Sequence, residues 1–149
     1  LTLQALPLGF SRRLRGLGVG QPVAPLKVAR DAQGKPLRHA DGLAVVSADE
    51  QEPGYRAALE EYHQRVSVLA IVEALKGDPN VVFETVLGSP PDWCAYADGV
   101  FAEMERAGWT AGDLAWLCGE VCRLSHLGEQ TLAESERLFF PEGDGWATS

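Results

Sequence analysis

Between Tyr55 and Leu75 the residues Tyr55, Leu59, Tyr62, Val66, Leu69, Val72 and Leu75 recur at intervals of three and four. A strand repeats every second residue, so this spacing suits a helix, which sets these side chains in one stripe. Pro53 fits a first helical turn, and Asp49, Glu50 and Glu52 suit the positive end of the helix dipole. Lys76 followed by Gly77 is a stop signal. Residues 48–76 therefore hold one long helix, and its stripe must be covered by the rest of the chain.

The elements that could cover it are helical and follow it in sequence. After the turn Asp78-Pro79-Asn80, the run Val81 to Val86 reads as a strand or an extended connector. Ser89 is the expected N-cap of a second helix with Pro90 at its first position. Trp93, Ala97, Val100, Phe101 and Met104 form its apolar face, and Gly108 ends it. Thr110 and Asp113 are spaced as a capping box, and Leu114, Leu117, Val121 and Leu124 mark the third helix. Gly128 separates it from a fourth, Glu129 to Phe140, and residues 141–149 read as a tail carrying Trp146.

Ahead of the long helix, Leu26 to Arg30 alternates, and Gly34 and Asp41-Gly42 are turn signals, so 26–47 reads as a β-hairpin or meander. Residues 1–25 are dense in Gly and Pro and read as a flexible basic arm with at most a helical turn over Arg12 to Leu17. No internal repeat at a fixed period is expected. The fold class is mainly α: about four helices, a small N-terminal β-hairpin or meander and an extended arm. One domain spans 26–140, with 26–47 as hairpin and 48–140 helical.

Composition supports a folded domain. The 149 residues are 46% hydrophobic and 23% charged, enough to bury roughly two-thirds of the unfolded surface without disulfides. The charge is uneven. Thirteen cations and 21 anions give −8; residues 1–40 hold seven cations and one anion (+6), leaving six and twenty (−14) for the rest. An acidic total argues against a nucleic-acid binder. No window carries the ~20 apolar residues of a membrane span. The apolar opening precedes Arg12, Arg13 and Arg15, the reverse of a secretory signal. With three cysteines in no regular spacing, a reducing, cytoplasmic setting is expected.

Little in the sequence points to a reaction. Cys118, Cys122 and His126 are spaced by four and four and, with Cys94, could supply zinc ligands. A small zinc-binding enzyme or regulator is thus an alternative, but buried apolar cysteines are the plainer reading. Glu60 and His63 lack the second Glu-x-x-His of a di-metal bundle and read as a solvated helix face. Gly16-Leu17-Gly18-Val19-Gly20 follows no strand and lacks the P-loop Lys-Ser/Thr. No catalytic residue, metal or cofactor is expected. The arm's Arg12, Arg13 and Arg15 could dock on an acidic surface, either the protein's own or a partner's.

The order of elements does carry a resemblance. Ala74-Leu75-Lys76-Gly77-Asp78, then Val81-Val82-Phe83-Glu84-Thr85, then Asp92-Trp93, Ala107-Gly108-Trp109-Thr110, Leu124-Ser125-His126-Leu127 and Glu134 through Phe139-Phe140 together resemble tail assembly chaperones of tailed phages and prophages. The resemblance spans about 26–140 and rests on helix boundaries and apolar anchors. It implies a non-enzymatic protein of the bacterial host cytoplasm that binds the tape-measure protein, helps the tail tube assemble around it and self-associates. The anchors it implies are Trp93, Trp109, Leu124, Leu127, Phe139 and Phe140; the arm arginines and Trp146 are further docking candidates outside that pattern. A structural virion protein, with the arm as a tether, is the second alternative.

Overall fold

The computed structural model describes residues 1–126. Four helices form: α1 (Phe10–Gly16), α2 (Pro53–Leu75), α3 (Trp93–Arg106) and α4 (Ala111–Leu124). One antiparallel pair joins β1 (Leu26–Val28) to β2 (Val46–Ala48), with Lys27 opposite Ser47. The protein is mainly helical with a small N-terminal hairpin. The helix expected over 129–140, the tail, and the anchors Leu127, Phe139, Phe140 and Trp146 lie outside the described residues. The chain divides into two compact units: residues 22–60, and residues 1–21 together with those from 61 onward.

In the helical unit, α2 is central. Six consecutive residues, Val66 to Ile71, are buried, so the helix is covered round most of its circumference rather than along one stripe. The run Val66-Ser67-Val68-Leu69-Ala70-Ile71 has almost no polar side, and such a helix belongs inside. Its two sides feed two clusters. One joins Val66, Leu69 and Ala70 to Phe10, Leu14, Val19, Ala97 and Cys122. The other joins Val68, Ile71 and Leu75 to Val100, Met104, Leu117 and Cys118. His63 is also buried, with its ring edge-on to Tyr62 at 5.1 Å between centroids, so it does not sit on a solvated face.

The expected flexible arm is corrected by the packing of residues 1–21. Phe10, Leu14 and Val19 are only 6%, 4% and 2% exposed. The backbone is tied down along its length: the Thr2 amide donates to Asp78 Oδ2 (2.6 Å), Gln4 to the Ala74 carbonyl (2.8 Å) and Leu6 to Ser125 Oγ (3.0 Å). The glycines read as breakers are here helix punctuation. After α1, Gly18 (φ 89) lets its own amide reach the Arg15 carbonyl and the Val19 amide reach Leu14. This is a Schellman stop, and it folds Val19 back beside Leu14 in the core. Gly108 (φ 85) ends α3 in the same way, with Gly108 and Trp109 donating to Glu105 and Met104.

Three further points refine the expected helix boundaries. The cap of α3 is Asp92, accepting from the Ala95 amide at 3.0 Å, not Ser89. Pro91 disfavours helical geometry at Pro90, which removes Pro90 from the first helical turn that Ser89 would have capped. The Thr110–Asp113 capping box of α4 is present in both directions. Residues 81–87 are an extended connector with no strand partner; Val81, Phe83, Thr85 and Leu87 point inward in alternation. The connector is pinned to α3 by Glu103, whose carboxylate accepts from the amides of Glu84 (2.7 Å) and Thr85 (3.0 Å) and from Thr85 Oγ1 (2.8 Å). The two long helices are clamped by Arg65, which donates Nε and Nη2 to the two oxygens of Asp98 at 2.9 and 2.8 Å.

The 22–60 unit contains a repeat that the reading of the sequence does not anticipate. The Leu37 amide donates to Ala29, Val45 to Leu37, and Ala29 to Val45, at 2.8, 2.9 and 2.8 Å, closing a ring of three backbone bonds at intervals of eight residues. The octads Ala29–Pro36 and Leu37–Ala44 share Arg at the second place, Ala at the fourth and Gly at the sixth. In each, the arginine donates to the glycine carbonyl: Arg30 to Gly34 at 2.9 Å and Arg38 to Gly42 at 2.8 Å. A third octad from Val45 keeps only Ala48 and leads into α2.

Candidate functional site

Where α1 crosses α2 and the start of α3, the helical unit leaves a groove of about 330 Å³. Its walls are built from spacing. Leu69, Val72 and Glu73 of α2, with Lys76 just past its end, step by three, one and three and so share a face; Phe10, Arg13 and Leu14 of α1, with its C-cap Leu17, do the same. Trp93 and Tyr96 close the third side, ring edge to ring face with centroids 5.6 Å apart. The lining is largely apolar, and its charged edge is organised round Glu73. One oxygen of Glu73 faces Arg13 Nη2 at 3.3 Å and Lys76 Nζ at 3.0 Å. Burial pushes this carboxyl up, but the two cations outweigh it and hold it below the usual carboxylate range. Arg13 also lies over the Phe10 ring, 5.6 Å from its centroid.

Of the expected docking residues within 1–126, the structure brings Arg13 and Trp93 together at the groove and leaves Arg12, Arg15, Trp109 and Leu124 out of its lining. Arg12 and Arg15 are exposed on α1, and among the described residues neither makes an ion pair. Trp109 is half-buried against the second cluster and lines a different hollow of about 390 Å³ with Leu1, Asp113 and Trp116. Leu124 is half-buried at the end of α4.

Leu17, Val72, Glu73, Lys76 and Tyr96, half of the groove lining, are residues that the sequence reading did not single out for docking. A signal existed for Glu73 and Lys76, charged residues three apart beside the apolar stripe of α2, whereas Val72 belongs to that stripe and also packs on the second cluster. Trp116 was also missed. It is 62% exposed, and it falls off the Leu114-Leu117-Val121-Leu124 face of α4, which marks it as an outward tryptophan.

The zinc alternative meets an unfavourable arrangement. Cys118 and Cys122 are buried, whereas His126 lies past the Ser125 C-cap of α4, is exposed, and takes a left-handed conformation (φ 53). The helical alignment that would place all three on one side stops before His126. Among the described residues no group of three His, Cys, Asp or Glu is placed to hold a metal ion. Burial pushes the Cys118 thiol up to about 11 against an opposing hydrogen bond from Ser67, which suits a packed apolar residue. No helix among the described residues is long and apolar enough to cross a membrane. Comparison with protein-family models, curated proteins and solved structures finds no match to this chain.

Proposed function

We propose that the chain is a non-enzymatic assembly protein, a tail assembly chaperone that binds a tape-measure protein while the tail tube is built around it. The observation that carries this reading is the apolar groove between α1, α2 and α3, edged by Arg13, Glu73 and Lys76. A long coiled-coil partner offers the complementary surface, with apolar side chains at i, i+3, i+4 and i+7 and charges beside them. The resemblance at Trp93, Trp109 and the boundaries of α2, α3 and α4 supports the same reading. The net charge of −8 would keep partly assembled complexes soluble through mutual repulsion. The setting for this activity is the cytoplasm of the bacterial host.

The test is co-expression with the long helical tape-measure protein of a tail gene cluster. A soluble complex is expected. Val72→Glu puts a carboxylate on the half-buried groove wall and is expected to reduce capture at least tenfold without unfolding the chain. A tape-measure protein that stays insoluble beside the folded, unmodified chain would overturn the reading.

A further inference from the structure

The hairpin unit is folded without an interior. No residue of 22–60 is buried, although its backbone closes the ring of Ala29, Leu37 and Val45. A two-stranded hairpin is marginal in water unless another surface covers it. Among the described residues eleven large apolar side chains are exposed. Six of them belong to this unit, including Leu26 (70%), Val28 (38%) and Val46 (51%), and two more, Val82 (80%) and Val86 (83%), to the connector 81–87. Single exposed apolar residues are ordinary on a surface, but their concentration on two short segments marks places that are covered in use.

Both segments are extended, and both leave backbone groups unpaired. On either side of β1, the Pro25 carbonyl and the Ala29 amide bond across to Asp49 and Val45, which flank β2. Antiparallel strands alternate, so Leu26 and Val28 turn their N–H and C=O groups the other way, to the open side of a sheet that has only two strands. In the connector, the amide of Val81 goes to the Asp78 carbonyl and those of Glu84 and Thr85 to Glu103. The amides of Val82 and Val86 and the carbonyls of residues 81–87 have no partner among the described residues. Each segment is thus a template for strand addition.

Charge decides which of these edges meet. Lys27 is engaged with Asp49 at 3.4 Å, but Arg30, just beyond β1, and Lys35, across the turn, have no carboxylate partner among the described residues. Asp31, between them, accepts from the amides of its own turn. Residues 22–48 hold four cations and two acids, whereas β2 runs directly into Asp49 and Glu50. On the connector, Glu84 is exposed with no ion pair, and Glu103 accepts only from amides and a hydroxyl, so it keeps its charge. Arg106 lies near Glu103, but the two carboxylates outnumber it. Pairing β1 with β1 would set cations against cations, and connector with connector would set acids against acids; β1 with a connector sets opposite charges together.

We infer that copies of this chain join head to tail, the open edge of β1 in one copy adding as a strand to the connector 81–87 of the next. Leu26 and Val28 then share a covered face with Val82 and Val86, and the contact is heterologous. Neither segment lines the groove, so this contact does not depend on the tape-measure reading.

The test is sedimentation velocity of the full chain at rising concentration, with two variants. Leu26→Glu with Val28→Glu spoils the hairpin edge, and Val82→Glu with Val86→Glu spoils the connector. All four side chains are exposed, so the thermal transition of the helical unit should be kept. Leu26→Glu alone serves if the double change loosens the hairpin. The unmodified chain is expected to associate, and each variant by itself to do so about tenfold more weakly or less. Mixed together, the two variants should form a 1:1 pair and nothing larger, because each retains the surface that the other has lost. An unmodified chain that stays monomeric into the millimolar range would overturn the inference. So would association that survives either change, or a mixture with no pair, which would mean that like surfaces join instead.

Discussion

Leu6 and Ser125, 119 positions apart, are joined by one hydrogen bond of 3.0 Å from the Leu6 amide to the Ser125 hydroxyl. The same hydroxyl donates to the Val121 carbonyl at 2.7 Å, so it finishes α4 and docks the N-terminal segment together. Ser125→Ala leaves the part-buried Leu6 amide without its acceptor, which costs about 1–3 kcal/mol. The expected result is a lower urea midpoint and faster exchange of the Leu6 amide. An unchanged exchange rate would show that the bond does not hold the segment.

The burial of Phe10, Leu14 and Val19 makes residues 1–21 part of the core rather than a removable appendage. Leu14→Ala should cost about 2–5 kcal/mol, as for a Leu in any well-packed interior. Deletion of residues 1–21 removes all three core side chains and should abolish cooperative thermal unfolding of the helical unit. A truncated chain melting at the original temperature would contradict this.

These two predictions also mark where the sequence was readable. The helices α2, α3 and α4 were legible because periodic apolar residues, the Thr110 cap and the Gly108 stop are local signals that tertiary packing reinforced. Residues 1–21 were not, because Gly9, Gly16, Gly18 and Gly20 break any long period, and a seven-residue helix rests on tertiary contacts rather than on its own propensity. The octad repeat escaped because only three of eight positions recur and only two copies are intact. The groove was half visible: Arg13 and Trp93 are conspicuous types, while Val72 and Leu17 are ordinary apolar residues whose place depends on how α1 crosses α2.

Acid should loosen the chain through two carboxylates that the fold holds ionised. The Glu84 amide, together with the hydroxyl and amide of Thr85, lowers the Glu103 carboxyl despite some desolvation. Lys76 and Arg13 lower Glu73 against its burial. A carboxyl whose folded value lies below its unfolded one stabilises the fold above the unfolded value, and this contribution is lost as pH falls through the folded value. Between about pH 5 and pH 8 unfolding midpoints should therefore be flat, and they should drop below about 4.5, the ordinary glutamate value. Glu103→Gln supplies one acceptor oxygen where two are used. It should lower stability at pH 7 and flatten the acid limb, and a variant with an unchanged acid limb would remove Glu103 from the account.

Cys118 offers the opposite sign. Its buried thiol is pushed up to about 11, so the folded chain keeps a proton that the unfolded chain releases near 9. Stability from this group is complete below pH 9 and declines between 9 and 11. At pH 8 the thiol should resist maleimide until the chain unfolds, with labelling that follows the denaturation curve. Rapid native-state labelling of Cys118 would mean that the second cluster opens far more readily than its packing implies.

One substitution, Gly→Ala, should change sign with position. Gly34 and Gly42 sit at φ 81 and 85 in the two octad turns, and an added Cβ meets nothing within 4 Å at either. The cost is therefore backbone strain alone, about 1–2 kcal/mol for a left-handed L-residue. It should appear locally, as faster exchange of the ring amides of Ala29, Leu37 and Val45, with the helical unit unaffected. Gly119 lies within α4, also with nothing within 4 Å of an added Cβ. There Ala removes the entropic penalty of glycine in a helix and should stabilise by about 0.5–1 kcal/mol. If Gly34→Ala and Gly42→Ala left the ring amides protected, the turns would not need their left-handed glycines, and the closed ring of Ala29, Leu37 and Val45 would have to be held by the Arg30 and Arg38 bonds instead.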